Sequence, residues 1–250
     1  MRFSGKITAY LLLAGAVLLG GSSLALFGVF LYAGPFELVP LGLATGAALT
    51  LDTVLSLAFF AQHSGMVRKS FRERALAALP EPYRPAIYAI ASGIVLFVFL
   101  AFWQRSDIVI YSAQGPARWI LRGIFAAGVI GLLWGLHTLK HLDALGMHAL
   151  LRHLAGKETR TLPLAIRGPY RWVRHPLYFL MLVLIWACPD ITLDRLLFGV
   201  LWSAWIVIGA RLEERDLADE FGADYRAYQK AVPMLIPWHT PRWPGSNNDT

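Results

Sequence analysis

The stretch ITAYLLLAGAVLLGGSSLALFGVFLY, Ile7 to Tyr32, decides the architecture. It carries no charge along its whole length, and Arg2 and Lys6 stand just ahead of it. About 20 apolar residues suffice for a helix to cross a hydrocarbon core of roughly 30 Å. Ser23-Leu24-Ala25 resembles a signal-peptide cleavage site. The apolar core of a signal peptide is only about 7–15 residues, so the longer run reads as a retained span.

Working outward, Leu38 to Ala61 is a second span with one acid, Asp52, near its middle. Tyr83 to Trp103 is a third and Trp119 to Leu139 a fourth. Two shorter runs follow, Leu177 to Ala187 and Leu196 to Ala210. As helices they would rise only about 17 Å and about 23 Å. Cys188-Pro189-Asp190 breaks the chain between them, and Asp194 suits the cap of the second. The expected fold is an all-α polytopic membrane helical bundle. It has four long spans, a C-terminal short helical hairpin and a cytoplasmic amphipathic tail from Arg211. Residues 1–242 form a single integral-membrane domain, and 243–250 a disordered tail.

Composition agrees. Of 250 residues, 56% are hydrophobic and 16% charged, against about a quarter charged in soluble domains. Mean hydropathy is +0.51. The net charge of +7 is spread between apolar runs rather than gathered on one module. That argues against a nucleic-acid partner and for membrane lipids. The single cysteine, Cys188, excludes an intramolecular disulfide. With the N-terminus in the cytoplasm, the segments 1–6, 62–84, 140–175 and 211–250 lie inside with 19 of the 23 Lys and Arg residues. The exceptions are Arg105, Arg118, Arg122 and Arg195, an asymmetry the positive-inside rule favours.

The polar feature that stands out is Arg167-Gly168-Pro169-Tyr170-Arg171-Trp172-Val173-Arg174-His175-Pro176-Leu177-Tyr178. Gly168-Pro169 sets a turn, and Pro176 suits a first helical position. The segment delivers Arg174 and His175 to the start of the hairpin, where backbone donors and a guanidinium suit a carboxylate or phosphate. Read from residues alone, it equally suits an Arg/Trp/Tyr anchor at the membrane interface. Glu213 and Glu214, beyond the last apolar run, would meet Arg174 if the hairpin closes. The result is either a cleft for a zwitterionic, polyhydroxylated cofactor or a plain ion pair clamping the hairpin.

Two further polar groups need a reading. His137 and His141 stand at i, i+4, with Asp143, His148 and His153 nearby, a spacing that can hold a metal. No Glu stands beside the first His, so no zincin motif is present, and no metal is expected. Asp52 points either to a transport path or to a partner on a neighbouring helix.

Gly168-Pro169-Tyr170-Arg171, Arg174-His175-Pro176-Leu177-Tyr178, Glu213-Glu214, Leu217, Phe221-Gly222, Tyr225, Tyr228 and Val232-Pro233 resemble the C-terminal signature of the isoprenylcysteine carboxyl methyltransferase superfamily. Gln62-His63-Ser64, Met66, His141-Leu142-Asp143, Gly146, Leu212 to Leu217 and Val232 to Pro237 are similar to the methanethiol S-methyltransferases. Part of this likeness is shared with a family of denitrification-associated membrane proteins. The resemblance implies an integral enzyme of the bacterial inner membrane that uses S-adenosyl-L-methionine, with its cofactor-binding part at about 163–238. The implied reaction is methyl transfer to a small thiol, methanethiol giving dimethyl sulfide. Methylation of a lipidic acceptor, or a non-enzymatic membrane transport role, are the alternatives.

The same resemblance implies the roles of individual residues. Arg174 and His175 would hold the cofactor's methionyl carboxylate, and Glu213 its ribose hydroxyls or amino group. Pro176 and Glu214 belong to the same motifs. Tyr170, Tyr178, Tyr225 and Tyr228 would offer rings to adenine or to the sulfonium, Tyr178 first among them. Since the thiolate is the nucleophile, His63 and His141 are candidate bases, with Asp143 orienting His141.

Overall fold

The computed structural model describes residues 3–68, 71, 74–139, 143, 145–157 and 166–238. Eight α-helices make up most of the described chain. They are α1 (Phe3–Gly15), α2 (Ser22–Ala33), α3 (Thr45–Val67), α4 (Arg84–Phe102), α5 (Gly115–Thr138), α6 (Met147–Leu154), α7 (Pro176–Trp186) and α8 (Leu193–Ala231). A π-helical turn, Ala16–Gly21, joins α1 to α2. Two short strands, β1 (Val109–Ser112) and β2 (Asp190–Thr192), pair with each other. Among the described residues, five helical stretches are long and apolar enough to cross a membrane: Gly5–Ala33, Thr45–Val67, Glu81–Phe102, Gly115–Thr138 and Leu193–Ala231. The chain is a polytopic helical membrane protein. Large apolar side chains such as Leu18, Ile130 and Trp119 are 67–76% exposed. Such exposure is costly in water and normal against lipid.

Three of the four long spans lie where expected, the second begins only at Thr45 and runs on to Val67, and the second leg of the hairpin is much longer. Its apolar run looked short because it was measured between Arg195 and Arg211. In the structure α8 starts at Leu193, takes Arg195 inside, and continues through the charged stretch to Gly222. That is about 43 Å of helix. The first leg, α7, has only 11 residues.

By internal contact the chain divides into two compact units. The first comprises Met1–Tyr111, His141–Thr161 and Ile191–Leu201. In it, α1, the π turn and α2 lie along α4. A Cβ at Gly93 would fall 2.5 Å from the Leu19 carbonyl oxygen, so the two backbones touch there. Phe30, Phe99, Trp103 and Phe198 meet edge-on or tilted at 4.8–6.2 Å and fill one end of the core. Arg195 is tolerated within a span because it donates to the carbonyls of Phe30 and Leu31, both at 2.7 Å, and so caps α2. Asp194 accepts from Trp103 Nε1, the Ser106 amide and the Thr192 hydroxyl. Asp52 finds a partner on the neighbouring element: its Oδ1 accepts the Gln104 amide at 2.9 Å.

The second unit comprises Ser112–Lys140, Leu162–Asp190 and Trp202–Thr250. Gly128, Gly131 and Gly135 open a groove along α5 that receives Leu184, Leu180 and Leu177 of the antiparallel α7. A Cβ at any of the three would come within 2.7–2.9 Å of a leucine methyl. Trp186 donates to Ser203 at 2.9 Å and ties the end of α7 to α8. Arg118 and Asp190 pair at 2.5 Å between the start of α5 and β2. Burial raises the Asp190 carboxyl, but hydrogen bonds from Ser112 and Arg118 and the charges of Arg118 and Arg122 outweigh it. The group is held below its ordinary value.

Candidate functional site

In the second unit, the segment ahead of α7 and the charged part of α8 come together. Gly168 takes φ +53°, a left-handed conformation glycine adopts freely, and its α-carbon lies against Thr138. A 3-10 turn, Gly168–Arg171, follows and presents Tyr170. Burial, and then the charge of Glu213, push the Tyr170 phenol up, so it stays a neutral donor. Pro176 is buried as the first residue of α7, which places His175 at that helix's entrance. Gly222, at φ +57°, interrupts α8 and redirects the chain after it.

Arg174 and Glu214 form the centre of this knot. Arg174 Nε lies 2.5 Å from Glu214 Oε1 and Nη2 lies 2.9 Å from Oε2, a two-pronged pair. Arg174 Nη1 donates to the carbonyls of Gln229, at 2.8 Å, and Val232. Glu214 also faces His175 Nε2 at 3.2 Å, the Tyr225 hydroxyl at 3.4 Å and Gln229 Nε2 at 3.0 Å. The two charged side chains are 8% and 12% exposed. The backbone reinforces them: the Arg174 and His175 amides donate to the Pro233 and Met234 carbonyls at 2.9 and 3.0 Å. Tyr228 donates to the Tyr170 carbonyl. Tyr225 and Tyr228 are buried with Val232 in a small apolar core.

His175 is buried beside the pair, and Glu213 is the exposed member of the knot. The His175 ring stacks on Tyr178, with centroids 5.4 Å apart and planes 13° from parallel. Its Nδ1 lies 3.8 Å from Glu213 Oε2, and Glu213 is 46% exposed. Tyr170, Arg174, His175, Pro176, Tyr178, Glu213, Glu214 and Tyr225 thus all belong to one unit, in two kinds of surroundings. His175, Pro176 and Tyr225 are buried, the side chains of Arg174 and Glu214 are nearly so, Tyr170 and Tyr178 are partly covered, and Glu213 is exposed.

His63 and Asp143 belong to the first unit. The His63 ring stacks on Phe59 at 5.1 Å and faces the Tyr88 hydroxyl, 2.9 Å from Nδ1. Gln62 Nε2 donates to Ser92 Oγ at 3.2 Å and meets the Met66 sulfur at 3.1 Å. Asp143 accepts the Ala149 amide at 2.8 Å and so serves the first turn of α6, with His148 at 3.7 Å. His153 lies edge-on to Tyr83. His141 lies outside the described residues. Reading the sequence alone missed Tyr88, Ser92 and Gln229. Tyr88 and Ser92 stand at i, i+4 in an apolar helix, and that pairing is the signal that identifies a polar face.

Fold and site together define a polytopic helical membrane protein with a charged knot at the entrance of α7. The chain is 34% identical over 199 residues to the methanethiol S-methyltransferase of a Pseudomonas strain, covering 78% of this chain and 76% of that protein. It is 35% identical over 206 residues to the methanethiol S-methyltransferase of Pseudomonas deceptionensis, covering 80% and 77%. Against that of Mycobacterium tuberculosis the figures are 30% over 194 residues, 77% and 80%. No protein-family model matches the chain, and no solved structure does. The chain belongs to the methanethiol S-methyltransferase family and is a membrane methyltransferase.

Proposed function

We propose that the protein transfers a methyl group from S-adenosyl-L-methionine to a small thiol, converting methanethiol to dimethyl sulfide. The observation that carries the reading is the likeness to proteins named for that activity, each matched over at least three quarters of both chains. The knot in the second unit supports the cofactor half. The exposed Glu213 carboxylate beside His175 suits a ligand bearing hydroxyls and an ammonium. The Tyr178 ring suits a sulfonium, which π faces attract. Bound there, S-adenosylmethionine would supply a methyl group made electrophilic by the sulfonium.

His175, Tyr178, Glu213 and Tyr170 would hold that group, with Arg174, Glu214, Tyr225 and Pro176 shaping the surface they form. His63 would take the thiol's proton, its ring held by Tyr88, with His141 and Asp143 as the supporting pair on the next cytoplasmic segment. A dry site favours the step, because a thiolate and a sulfonium combine into neutral products. We further propose that the protein sits in the bacterial inner membrane, among its lipids, with the N-terminus and the knot cytoplasmic. The distribution of 19 of 23 cationic residues supports that orientation.

The test is direct. Membranes containing the protein are given S-adenosylmethionine and methanethiol, and dimethyl sulfide is followed by gas chromatography. Product above that of control membranes is expected. No product from methanethiol, with methyl groups appearing in lipid instead, overturns the thiol assignment.

A further inference from the structure

In the first unit, four neutral polar side chains meet between two membrane-spanning helices. Gln62 and His63 come from α3, Tyr88 and Ser92 from α4. Polar groups within a span are costly unless they satisfy one another or serve a ligand. These four form a row of hydrogen bonds with a direction. Gln62 Nε2 donates to Ser92 Oγ at 3.2 Å, and it also meets the Met66 sulfur at 3.1 Å. An amide nitrogen only donates, so Ser92 is the acceptor there. The Ser92 hydroxyl then donates to the Tyr88 hydroxyl, one turn back on α4. Tyr88 is left to donate to His63.

A neutral imidazole has one lone-pair nitrogen and one N–H. Tyr88 Oη stands 2.9 Å from His63 Nδ1 and 3.1 Å from Nε2, so the same hydroxyl meets the lone pair in either tautomer. Phe59 stacks on the ring at 5.1 Å and covers a face of it. A thiol therefore meets no bare imidazole nitrogen while Tyr88 is in place. The Tyr88 oxygen keeps a second lone pair beyond the one that Ser92 occupies. Tyr88 and His63 are both only partly buried, so that lone pair is within a small molecule's reach. Along the two helices the nearest charged residues are Arg68, just past the end of α3, and Arg84. The Arg84 guanidinium is taken up by the Ala77 and Leu79 carbonyls.

We propose that Tyr88 is a catalytic residue, the proton relay between the acceptor thiol and His63. The thiol S–H bond and the Tyr88 O–H bond break, while a new O–H bond forms on Tyr88 and an N–H bond on His63. A thiolate and an imidazolium result, and Tyr88 ends as it began. Donation from Ser92 steadies the phenol oxygen as it exchanges one hydrogen for another. The thiolate is then the nucleophile that accepts the methyl group, and His63 releases its extra proton to solvent. The proposal rests on the reading that a small thiol is the acceptor and His63 its base.

Initial rates of dimethyl sulfide formation by the full-length, detergent-purified protein test it, across a pH series and beside equilibrium binding of S-adenosylhomocysteine. Tyr88→Phe keeps the ring and removes the hydroxyl. It should slow methanethiol turnover about 10²–10⁴-fold near neutral pH, with S-adenosylhomocysteine affinity within about twofold of wild type. The deficit should shrink as pH rises, because solvent then supplies the thiolate and the relay is bypassed. Tyr88→Phe combined with His63→Asn should be no slower than the slower single variant, since the two residues serve one transfer. A wild-type rate in Tyr88→Phe overturns the relay, and so does a deficit equal at every pH. Deficits that multiply in the double variant overturn it as well. Lost S-adenosylhomocysteine affinity in Tyr88→Phe gives the residue a structural part instead. Wild-type protein that binds S-adenosylhomocysteine but makes no dimethyl sulfide overturns the thiol reading, and the relay with it. Wild-type turnover beside an unimpaired Tyr88→Phe overturns the relay alone.

Discussion

Helix α8 carries one buried charged group in its first turn and another near its middle, and the two groups are satisfied in opposite ways. At Asp194 and Arg195 each charge is met by neutral partners. Asp194 takes an indole, an amide and a hydroxyl, and Arg195 takes two carbonyls. At Glu214 the carboxylate meets a guanidinium head-on, and the adjacent His175 and Glu213 are left facing each other without a hydrogen bond. A buried polar group that only holds a fold has its valences filled by the chain. One that serves a ligand keeps capacity at an accessible edge. The difference separates a structural knot from a candidate site when both look alike in composition.

The largest effects should come from emptying either knot. Asp194→Ala strands three buried donors, and Glu214→Ala strands a buried guanidinium. Each should cost about 3–5 kcal/mol in thermal unfolding of the purified protein. Only Glu214→Ala should also abolish binding of S-adenosylhomocysteine by the fraction that remains folded. Loss of binding in Asp194→Ala as well would break the comparison, because the group at Asp194 and Arg195 would then not be purely structural.

A smaller and more selective effect is expected in the first unit. His63→Asn should lower turnover about 10²–10⁴-fold, the range of a lost general base, while S-adenosylhomocysteine affinity stays within about twofold. Initial rates and equilibrium binding on one preparation check this. A parallel fall in affinity would show that His63 belongs with the cofactor-binding group instead.

The smallest effect concerns Arg118 and Asp190, a partly exposed pair. Asp190→Asn should cost no more than about 0.5–1 kcal/mol near neutral pH. The Asp190 carboxyl is held below its ordinary value in the folded chain. Its contribution is therefore complete above the ordinary carboxylate range and disappears as pH falls through the lowered folded value. Thermal unfolding of wild type and variant should differ near neutrality and converge in strong acid. A gap that persists there would assign the cost to packing instead of charge.

Much of this was legible in the chain itself. The apolar runs at Ile7–Tyr32, Leu38–Ala61, Tyr83–Trp103 and Trp119–Leu139 each correspond to a long helix, because length and apolarity are local properties. The run around Leu196–Ala210 was misjudged as short because Arg195 reads as a boundary. What makes it an interior residue is a pair of carbonyls on α2, more than 160 positions away. The polar cluster from Arg167 to Tyr178 was visible for a related reason, since charge in a greasy chain stands out. Which of two adjacent glutamates meets Arg174 was not visible, because Glu213 and Glu214 are chemically the same and differ only in the direction each takes from α8.

By itself, then, the sequence determined a helical membrane protein with a basic, aromatic segment ahead of its last apolar runs, and it carried the resemblance to a methyltransferase family. Hydrophobic length and charge asymmetry act locally, and a run of residues records them completely. Only the tertiary structure decided that Arg174 is closed by Glu214, that Tyr225 and Tyr228 are buried beside the pair, and that Glu213 alone of the two glutamates stays largely exposed. The reason is that hydrogen-bonding capacity is shared among residues up to 58 positions apart, and a side chain's remaining valence exists only once its partners have arrived.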